Sequence, residues 1–124
     1  MHSVVVVDDD STSCQALARL LTRLGDKATC LTSGQAALDY LRTHIPRLVI
    51  LDIMMPGMDG FEVLSRIRED ARLKDLPVVM FSAMGDPAAI DKAMNKGATD
   101  YWVKTVIDYS RLQELVAPYV AETV

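Results

Sequence analysis

The fold is decided by one stretch of the sequence, residues 48–60, which reads LVILDIMMPGMDG. Four consecutive apolar residues lead directly into Asp52, and a loop rich in proline, glycine and aspartate follows. An uninterrupted apolar run of this kind is typical of a strand that is buried on both faces, as the strands of parallel sheets are. We therefore predict a central strand over residues 48–51, with Asp52 at its carboxyl end, where open α/β sheets place their functional groups.

The same alternation of an apolar run and a helical pattern recurs along the whole chain. Apolar runs predict strands over residues 3–7, 27–31, 48–51, 78–81 and 101–103. Apolar residues at helical spacing follow each run, and these segments begin near residues 11, 33, 60, 86 and 108. Five strand–helix units predict a doubly wound α/β fold, the flavodoxin-like (βα)5 sandwich, with a five-stranded parallel sheet in the order 2-1-3-4-5.

Several helix ends can be predicted from their residue types. Asp86 followed by Pro87 is a strong helix start, because the aspartate can accept a backbone N–H and proline suits the first helical position. Pro118 falls inside the last helical pattern and should kink or loosen its final turn. The cap of the first helix is expected at Ser11, Thr12 or Ser13.

Length and composition limit the possible functions. The chain has 124 residues, of which 50% are hydrophobic, so we predict one domain over residues 1–124. The formal net charge of -4 argues against direct binding to nucleic acid. No apolar run approaches the ~18 residues that a membrane span needs, and no signal-peptide pattern is found, so we expect a cytoplasmic protein without a membrane partner.

Cys14 and Cys30 are the two cysteines of the sequence. Neither lies in a CxxC motif or in another spacing that is typical of metal ligands. We expect both to be reduced thiols in a cytoplasmic protein, with a single disulfide as the alternative.

Polar residues follow four of the five predicted strands directly. Each has an ordinary structural explanation: acids cap helices, serine often ends a strand, and lysine extends into solvent. Taken together they indicate a site, because the carboxyl ends of parallel strands share one edge of the sheet. The residues are Asp8 and Asp9 after the first strand, Asp52 after the third, Ser82 after the fourth and Lys104 after the fifth.

Three carboxylates in one small region repel one another and need a cation. Hard oxygen ligands suit Mg²⁺ or Mn²⁺ better than zinc, and neither His2 nor His44 is placed to join them. With the charge neutralised, Asp52 can act as a nucleophile towards phosphorus. Phosphoryl transfer needs mainly positioning and charge stabilisation, which Lys104 and Ser82 can supply to the phosphoryl oxygens.

These residues resemble the receiver domain of two-component response regulators, and the chain is chemotaxis-regulator-like over essentially its whole length. The motifs that carry the resemblance are residues 6–9 (VVDD), 51–60 (LDIMMPGMDG), 81–83 (FSA) and 97–104 (GATDYWVK). The resemblance implies that Asp52 accepts a phosphoryl group from the phosphohistidine of a histidine kinase or histidine phosphotransfer protein. It also implies Mg²⁺ bound by Asp9, by Asp52 and by the backbone carbonyl of Met54, with Asp8 acting largely through water.

The resemblance implies a switch as well. Ser82 would move towards the phosphate, Lys104 would be its cationic partner, and Tyr101 would turn inward behind Ser82, while Trp102 faces the other side of the sheet. The output surface would be the fourth helix, fifth strand and fifth helix, which would contact an output domain or protein. The protein would be a monomer or a phosphorylation-linked dimer.

The sequence departs from the family pattern at a few positions. Thr105 follows Lys104 where the family usually has proline, often after a cis bond; a cis bond without proline costs ~3 kcal/mol, so we expect a trans bond and a different loop. Met54 and Met84 lie two residues past Asp52 and Ser82, and we predict that they shield the acyl phosphate from water and slow its hydrolysis. Asp10 lies outside the motif and is interpreted as a helix-entry charge.

Three alternatives were weighed against this interpretation. A flavin binder of the same topology needs backbone amides for the phosphate after the first strand, where this chain has three acids. A haloacid-dehalogenase-type phosphatase needs a second acid two residues after its nucleophile, where this chain has Met54. A degenerate receiver that serves only as an interaction surface stays open because of Thr105.

Overall fold

The computed structural model describes residues 3–120. Five strands alternate with five α-helices in this part of the chain, as the sequence predicts. The strands are β1 (Ser3–Val7), β2 (Lys27–Leu31), β3 (Leu48–Leu51), β4 (Val78–Ser82) and β5 (Asp100–Val103). The helices are α1 (Ser11–Arg23), α2 (Gly34–Leu41), α3 (Gly60–Glu69), α4 (Pro87–Asn95) and α5 (Leu112–Val120).

All strand pairs are parallel, and the sheet order is β2-β1-β3-β4-β5. This confirms the predicted doubly wound topology. The first and third strands are neighbours, with Val7 opposite Leu51. The residues that follow these two strands therefore emerge side by side at the carboxyl edge of the sheet.

The sheet separates two apolar cores, because successive side chains of a strand point to opposite faces. The core on one face is formed with α2, α3 and α4, and the half-buried ring of Tyr101 packs against it. The core on the other face is formed with α1 and α5 and contains Trp102. The prediction that Trp102 and Tyr101 face opposite sides is thus confirmed.

Side-chain caps begin the helices. Asp86 accepts a hydrogen bond from Ala89 N, and Pro87 takes the first position of α4, as predicted. The cap of α1 was assigned wrongly to the three hydroxyl residues: Asp10 accepts from Thr12 N and Ser13 N instead. A carboxylate one residue earlier in an extended conformation reaches both amides, so the helix-entry charge at Asp10 is also its cap.

The last helix begins in two steps. A 3₁₀ turn over Tyr109–Arg111 precedes α5, and Asp108 caps it. Pro118 lies inside α5, which continues to Val120. Within residues 3–120, no helix combines the length and the apolar character that crossing a membrane requires.

The prediction of reduced thiols is wrong. The sulfurs of Cys14 and Cys30 are bonded to each other in the structure. The crossover from β1 through α1 to β2 lays the beginning of α1 over the edge strand, which brings the two Cα atoms to 5.7 Å. A separation of 16 residues in the sequence gives no sign of this proximity.

Arg68 connects α3 to two segments at the amino-terminal edge of the sheet, the edge opposite to Asp52. Its guanidinium donates hydrogen bonds to the carbonyl oxygen of Gly97, at the end of α4, and to three carbonyls of the segment between α3 and β4, those of Leu73, Lys74 and Leu76. Burial lowers the pKa of Arg68, and Asp75 opposes that effect. Gly97 has a φ of 100°, and a Cβ atom there would lie 3.2 Å from the Arg68 side chain.

Candidate functional site

The three predicted acids lie together at the carboxyl edge of β1 and β3. Asp52 N donates to Val7 O at 2.9 Å, which continues the β1–β3 pairing one residue beyond the strand. Oxygen atoms from Asp8, Asp9 and Asp52 can all lie within 4.8 Å of one another. Asp8 and Asp52 are buried, whereas Asp9 is exposed, so the cluster opens to solvent on one side.

Lys104 bridges the two buried acids. Its Nζ is 2.8 Å from Asp8 Oδ2 and 3.2 Å from Asp52 Oδ2. Backbone bonds set this position: Lys104 N donates to Ser82 O, and the amides of Val106 and Ile107 both donate to Val103 O, which turns the chain after β5. Lys104 therefore reaches the acids although Thr105 replaces the proline of the family pattern.

The Lys104–Thr105 bond is trans, as expected, since no peptide bond within residues 3–120 is cis.

Each buried carboxylate is also held by an amide. Asp8 Oδ1 accepts from Asp10 N at 3.0 Å, and Asp52 Oδ1 accepts from Ile53 N at 2.7 Å. Both oxygens of each acid thus have a donor, the ammonium on one side and a backbone N–H on the other. Fixed donors of this kind orient a carboxylate before any reaction takes place.

The electrostatic balance follows from burial. Burial raises the pKa of Asp52, and Asp8 adds to this, while Lys104 and the Ile53 N–H oppose it. Burial alone would lower the pKa of Lys104, but the hydrogen bond to Asp8 and the charges of both acids outweigh it and raise the pKa. Lys104 therefore remains an ammonium ion at neutral pH.

The donor set fits a hard divalent cation. Three carboxylates and one ammonium leave a formal charge of −2, which one such ion neutralises. The ligand atoms are all oxygens, as Mg²⁺ and Mn²⁺ prefer. His44 stacks on Tyr40 instead of joining the acids, and His2 lies outside the described residues.

The loop after β3 approaches Asp52 closely. Gly60 N donates to Ile53 O at 2.8 Å, and a Cβ atom on Gly60 would lie 2.1 Å from Asp52 O. Only glycine allows α3 to begin so near the acid, and Gly57, with a φ of 77°, makes the preceding turn. Met54, in this loop, is 63% exposed and lines a groove together with Met84.

Ser82 and Tyr101 form their hydrogen bonds with Met84 and not with the acids. Ser82 is fully buried, and its Oγ accepts from Met84 N at 3.2 Å. The Tyr101 hydroxyl donates to the Met84 carbonyl oxygen. Burial raises the pKa of Tyr101, and a hydrogen bond to Ser82 opposes that rise. The serine, the tyrosine and the loop from β4 to α4 thus form one hydrogen-bonded group.

A family model for the response regulator receiver domain matches residues 4–117 of the sequence. The chain belongs to this family. As a receiver domain of the two-component type, it is a phosphorylation-dependent signalling switch. The flavin-binding and phosphatase alternatives are thereby excluded.

Curated relatives of this receiver are response regulators. It is 40% identical over 106 residues to the transcriptional regulatory protein AfsQ1 of Streptomyces coelicolor, a match that covers 86% of this chain and 46% of that protein. It is 37% identical over 112 residues to the two-component response regulator ORR3 of rice, Oryza sativa subsp. indica, covering 88% and 86% of the two chains. The receiver thus spans about half the length of the first of these relatives.

Solved structures share the fold. A protein described as a response regulator from Chloroflexus aurantiacus has a TM-score of 0.89 and 31% identity, with 98% of each chain covered. The chemotaxis protein CheY4 of Vibrio cholerae has a TM-score of 0.88 and 25% identity, with 97% of this chain and 99% of that chain covered. These neighbours confirm the receiver fold.

As the sequence predicts, the carboxyl edge of the sheet carries Asp8, Asp9, Asp52, Ser82 and Lys104, but two contacts at this edge are not predicted. The ion pair between Lys104 and Asp8 was not foreseen, because the resemblance assigns the lysine to the phosphoryl group alone. The bond from the Asp10 amide to Asp8 was missed as well. A run of three acids before a helix is the signal that could have indicated it.

Proposed function

We propose that this receiver accepts a phosphoryl group on Asp52 from the phosphohistidine of a histidine kinase or a histidine phosphotransfer protein. The observation that carries the proposal is the position of Lys104 Nζ, 3.2 Å from one oxygen of a buried carboxylate and 2.8 Å from its buried neighbour Asp8. The Lys104 ammonium would therefore contact the oxygens of a phosphoryl group placed at Asp52.

The reaction is a displacement at phosphorus. An oxygen of the Asp52 carboxylate attacks the phosphorus atom, a new O–P bond forms, and the P–N bond breaks with its electron pair leaving on the imidazole nitrogen. Ile53 N holds the carboxylate in place, and Lys104 neutralises part of the charge on the phosphoryl oxygens. The Ser82 hydroxyl, once it leaves Met84 N, would donate to a further phosphoryl oxygen.

Asp8, Asp9 and Asp52 would hold Mg²⁺, or Mn²⁺ in its place, together with the backbone carbonyl of Met54. When bound, the ion supplies charge neutralisation and draws electron density away from phosphorus. The oxygen-only donor set and its net charge of −2 support this assignment.

The switch follows from the group formed by Ser82, Met84 and Tyr101. Phosphorylation adds ~1.5 to 2 negative charges, which would draw the Ser82 hydroxyl away from Met84 N. The Tyr101 ring is half-buried and its hydroxyl is bonded to the same loop, so a movement of Ser82 would change the position of Tyr101. This movement would alter the surface of α4, β5 and α5, which we propose as the contact with an output domain or protein.

The remaining properties follow from the same proposal. The donor and the receiver would meet in the cytoplasm, and neither nucleic acid nor membrane would be contacted directly. The receiver would be a monomer, or a dimer that forms through α4 and α5 after phosphorylation.

Beryllofluoride with Mg²⁺ tests the proposal, with Trp102 as the reporter. Phe81 connects the reporter to the site: its ring lies edge-on to Trp102 with 6.4 Å between centroids, and Lys104 Nζ is 5.5 Å from its centre. We expect a saturable change in fluorescence in the parent and none in Asp52→Asn. A parent that responds no more than Asp52→Asn is instead a degenerate receiver, and the proposal fails.

Phosphorylation itself gives the second readout. Incubation with acetyl phosphate and Mg²⁺ should add one phosphoryl mass, at Asp52, and EDTA should prevent it. A phosphorylated residue other than Asp52 in the peptide map would overturn the assignment.

A further inference from the structure

The disulfide between Cys14 and Cys30 links the first turn of α1 to the edge strand β2. Cys14 is the fourth residue of α1, and Cys30 lies on β2, the edge strand of the sheet. Their Cα atoms are 5.7 Å apart, an ordinary distance for a disulfide. Neither the proposed phosphotransfer nor the proposed switch uses this bond.

The two cysteines differ in access. Cys14 is 0% exposed within the core between the sheet, α1 and α5. Cys30 is partly exposed, because β2 has no strand on its outer side. Cys30 is therefore the more accessible of the two residues to a thiol from solvent.

We propose that this disulfide is a reversible thiol–disulfide exchange site, entered at Cys30 by dithiol compounds or dithiol proteins, and that its redox state sets the cation affinity of the acidic site. The first part stands by itself. The second part rests on the proposed function of the acids.

The exchange balances as a two-electron reaction. A thiolate of the dithiol attacks Cys30 Sγ, a mixed disulfide forms, and the bond to Cys14 Sγ breaks with its electron pair leaving on Cys14, which takes a proton from solvent. The second thiol of the reductant then attacks its own sulfur in the mixed disulfide and releases Cys30 as a thiolate. The dithiol leaves oxidised, and the protein carries two thiols.

Two backbone carbonyl oxygens near Cys14 Sγ could accept a hydrogen bond from the thiol of the reduced form. Cys14 Sγ lies 3.3 Å from Val6 O and 3.8 Å from Leu31 O. After reduction, the Cys14 thiol can donate a hydrogen bond to the Val6 carbonyl without a change in its surroundings.

Hydrogen bonds of Cys14 and of the residue after Cys30 connect the disulfide to Asp8 on two sides. On the helix side, Cys14 N donates to Asp10 O, and Asp10 N donates to Asp8 Oδ1. On the strand side, the residue after Cys30 accepts from the acid: Asp8 N donates to Leu31 O at 3.0 Å. The disulfide therefore joins the two segments, α1 and β2, that hydrogen-bond to Asp8. Reduction of the disulfide would remove one restraint on the position of the Asp8 carboxylate.

The proposed location also favours a labile bond. Cytosolic thiols are kept reduced, so cytosolic disulfides are usually transient, catalytic or redox-sensing. A bond with one partly exposed cysteine suits that role better than a permanent one.

The exchange is tested on the parent protein under native conditions. Dithiothreitol should open the bond while circular dichroism shows that the fold persists. After the dithiothreitol is removed and the protein is unfolded, iodoacetamide should add its mass at two thiols in the treated protein and at none in the untreated protein. Glutathione disulfide added to the reduced protein should give an adduct that peptide mapping places on Cys30. A bond that dithiothreitol reduces only in the unfolded protein, or an adduct on Cys14, would overturn the exchange site.

The coupling to the acids is tested by Mn²⁺ titration of both forms, with calorimetry as the readout. We expect the reduced form to bind Mn²⁺ at least about five-fold more weakly, the lower end of usual coupling between sites. The matched control is Cys30→Ser, whose single affinity should not respond to dithiothreitol. Equal affinities of the two parent forms would refute the coupling.

The outcome is separable from that of the proposed function. Thiol release and the adduct map need neither cation nor phosphate. A parent that is phosphorylated on Asp52 equally well in both redox states, with equal Mn²⁺ affinity, keeps the proposed function and refutes the coupling. If Cys30→Ser does not fold, the comparison of the two parent forms decides alone.

Discussion

Replacement of Lys104 by methionine should destabilise the cation-free receiver. The substitution keeps the aliphatic length and removes the ammonium that lies 2.8 Å from Asp8 and 3.2 Å from Asp52. These acids are only 3% and 7% exposed. Removing one partner of a buried ion pair costs ~3 to 5 kcal/mol. We expect the lower end, about 3 kcal/mol, because the Lys104 side chain is itself 24% exposed.

The loss should depend on pH with a definite sign. Burial raises the pKa of Asp52 even with the ammonium present, and Lys104 opposes that rise. Without Lys104 the folded-state pKa rises further above the unfolded value. A carboxyl group of this kind favours the folded state at low pH, and that contribution is lost as the pH rises through its folded-state pKa. The deficit of Lys104→Met should therefore be small in acid and grow towards neutral pH.

Urea denaturation in EDTA over a series of pH values measures this deficit. At neutral pH, about 3 kcal/mol corresponds to a fall in melting temperature of roughly 10 °C for a domain of this size. Lys74→Met, at an exposed lysine between α3 and β4, is the matched control and should match the parent. A Lys104→Met midpoint equal to that of the parent at neutral pH, or a deficit that does not change with pH, would refute the reasoning.

Three further predictions concern the loops around the site. Met54→Asn should shorten the phosphoryl lifetime, measured by the decay of the phosphorylated mass, because it replaces an apolar side chain beside the acceptor with one that can hold water; an unchanged or longer lifetime contradicts the shielding role. Asp86→Ala should cost about 1 kcal/mol in urea denaturation through loss of the α4 cap, and Asp86→Asn should not. Gly60→Ala should lower the melting temperature, because its Cβ would lie 2.1 Å from Asp52 O; an unchanged value contradicts that crowding.

The strands and their order could be predicted because burial leaves a clear record in the sequence. Apolar runs such as residues 48–51 match strands buried on both faces, and right-handed crossovers leave few ways to connect them. The convergence of Asp8, Asp52 and Lys104 follows from the same rule, since the ends of parallel strands share an edge.

Contacts that depend on local backbone geometry were harder to predict. Asp10 rather than a hydroxyl residue caps α1, because one residue of difference in the helix start decides which side chain reaches the free amides. The disulfide was missed for a related reason. Spacing in the sequence does not reveal which residues of α1 lie over β2.

Arg68 has a consequence for how the fourth helix can move. Its guanidinium fixes the carboxyl end of α4 at Gly97 to the segment before β4, at the edge of the sheet far from the acids. The amino end of α4 follows the loop of Ser82 and Met84, whose hydrogen bonds to Ser82 and Tyr101 are the ones that phosphorylation is proposed to change. A change in charge at the acids should therefore rotate α4 about its fixed end at Gly97. The first turn of the helix should show the largest displacement.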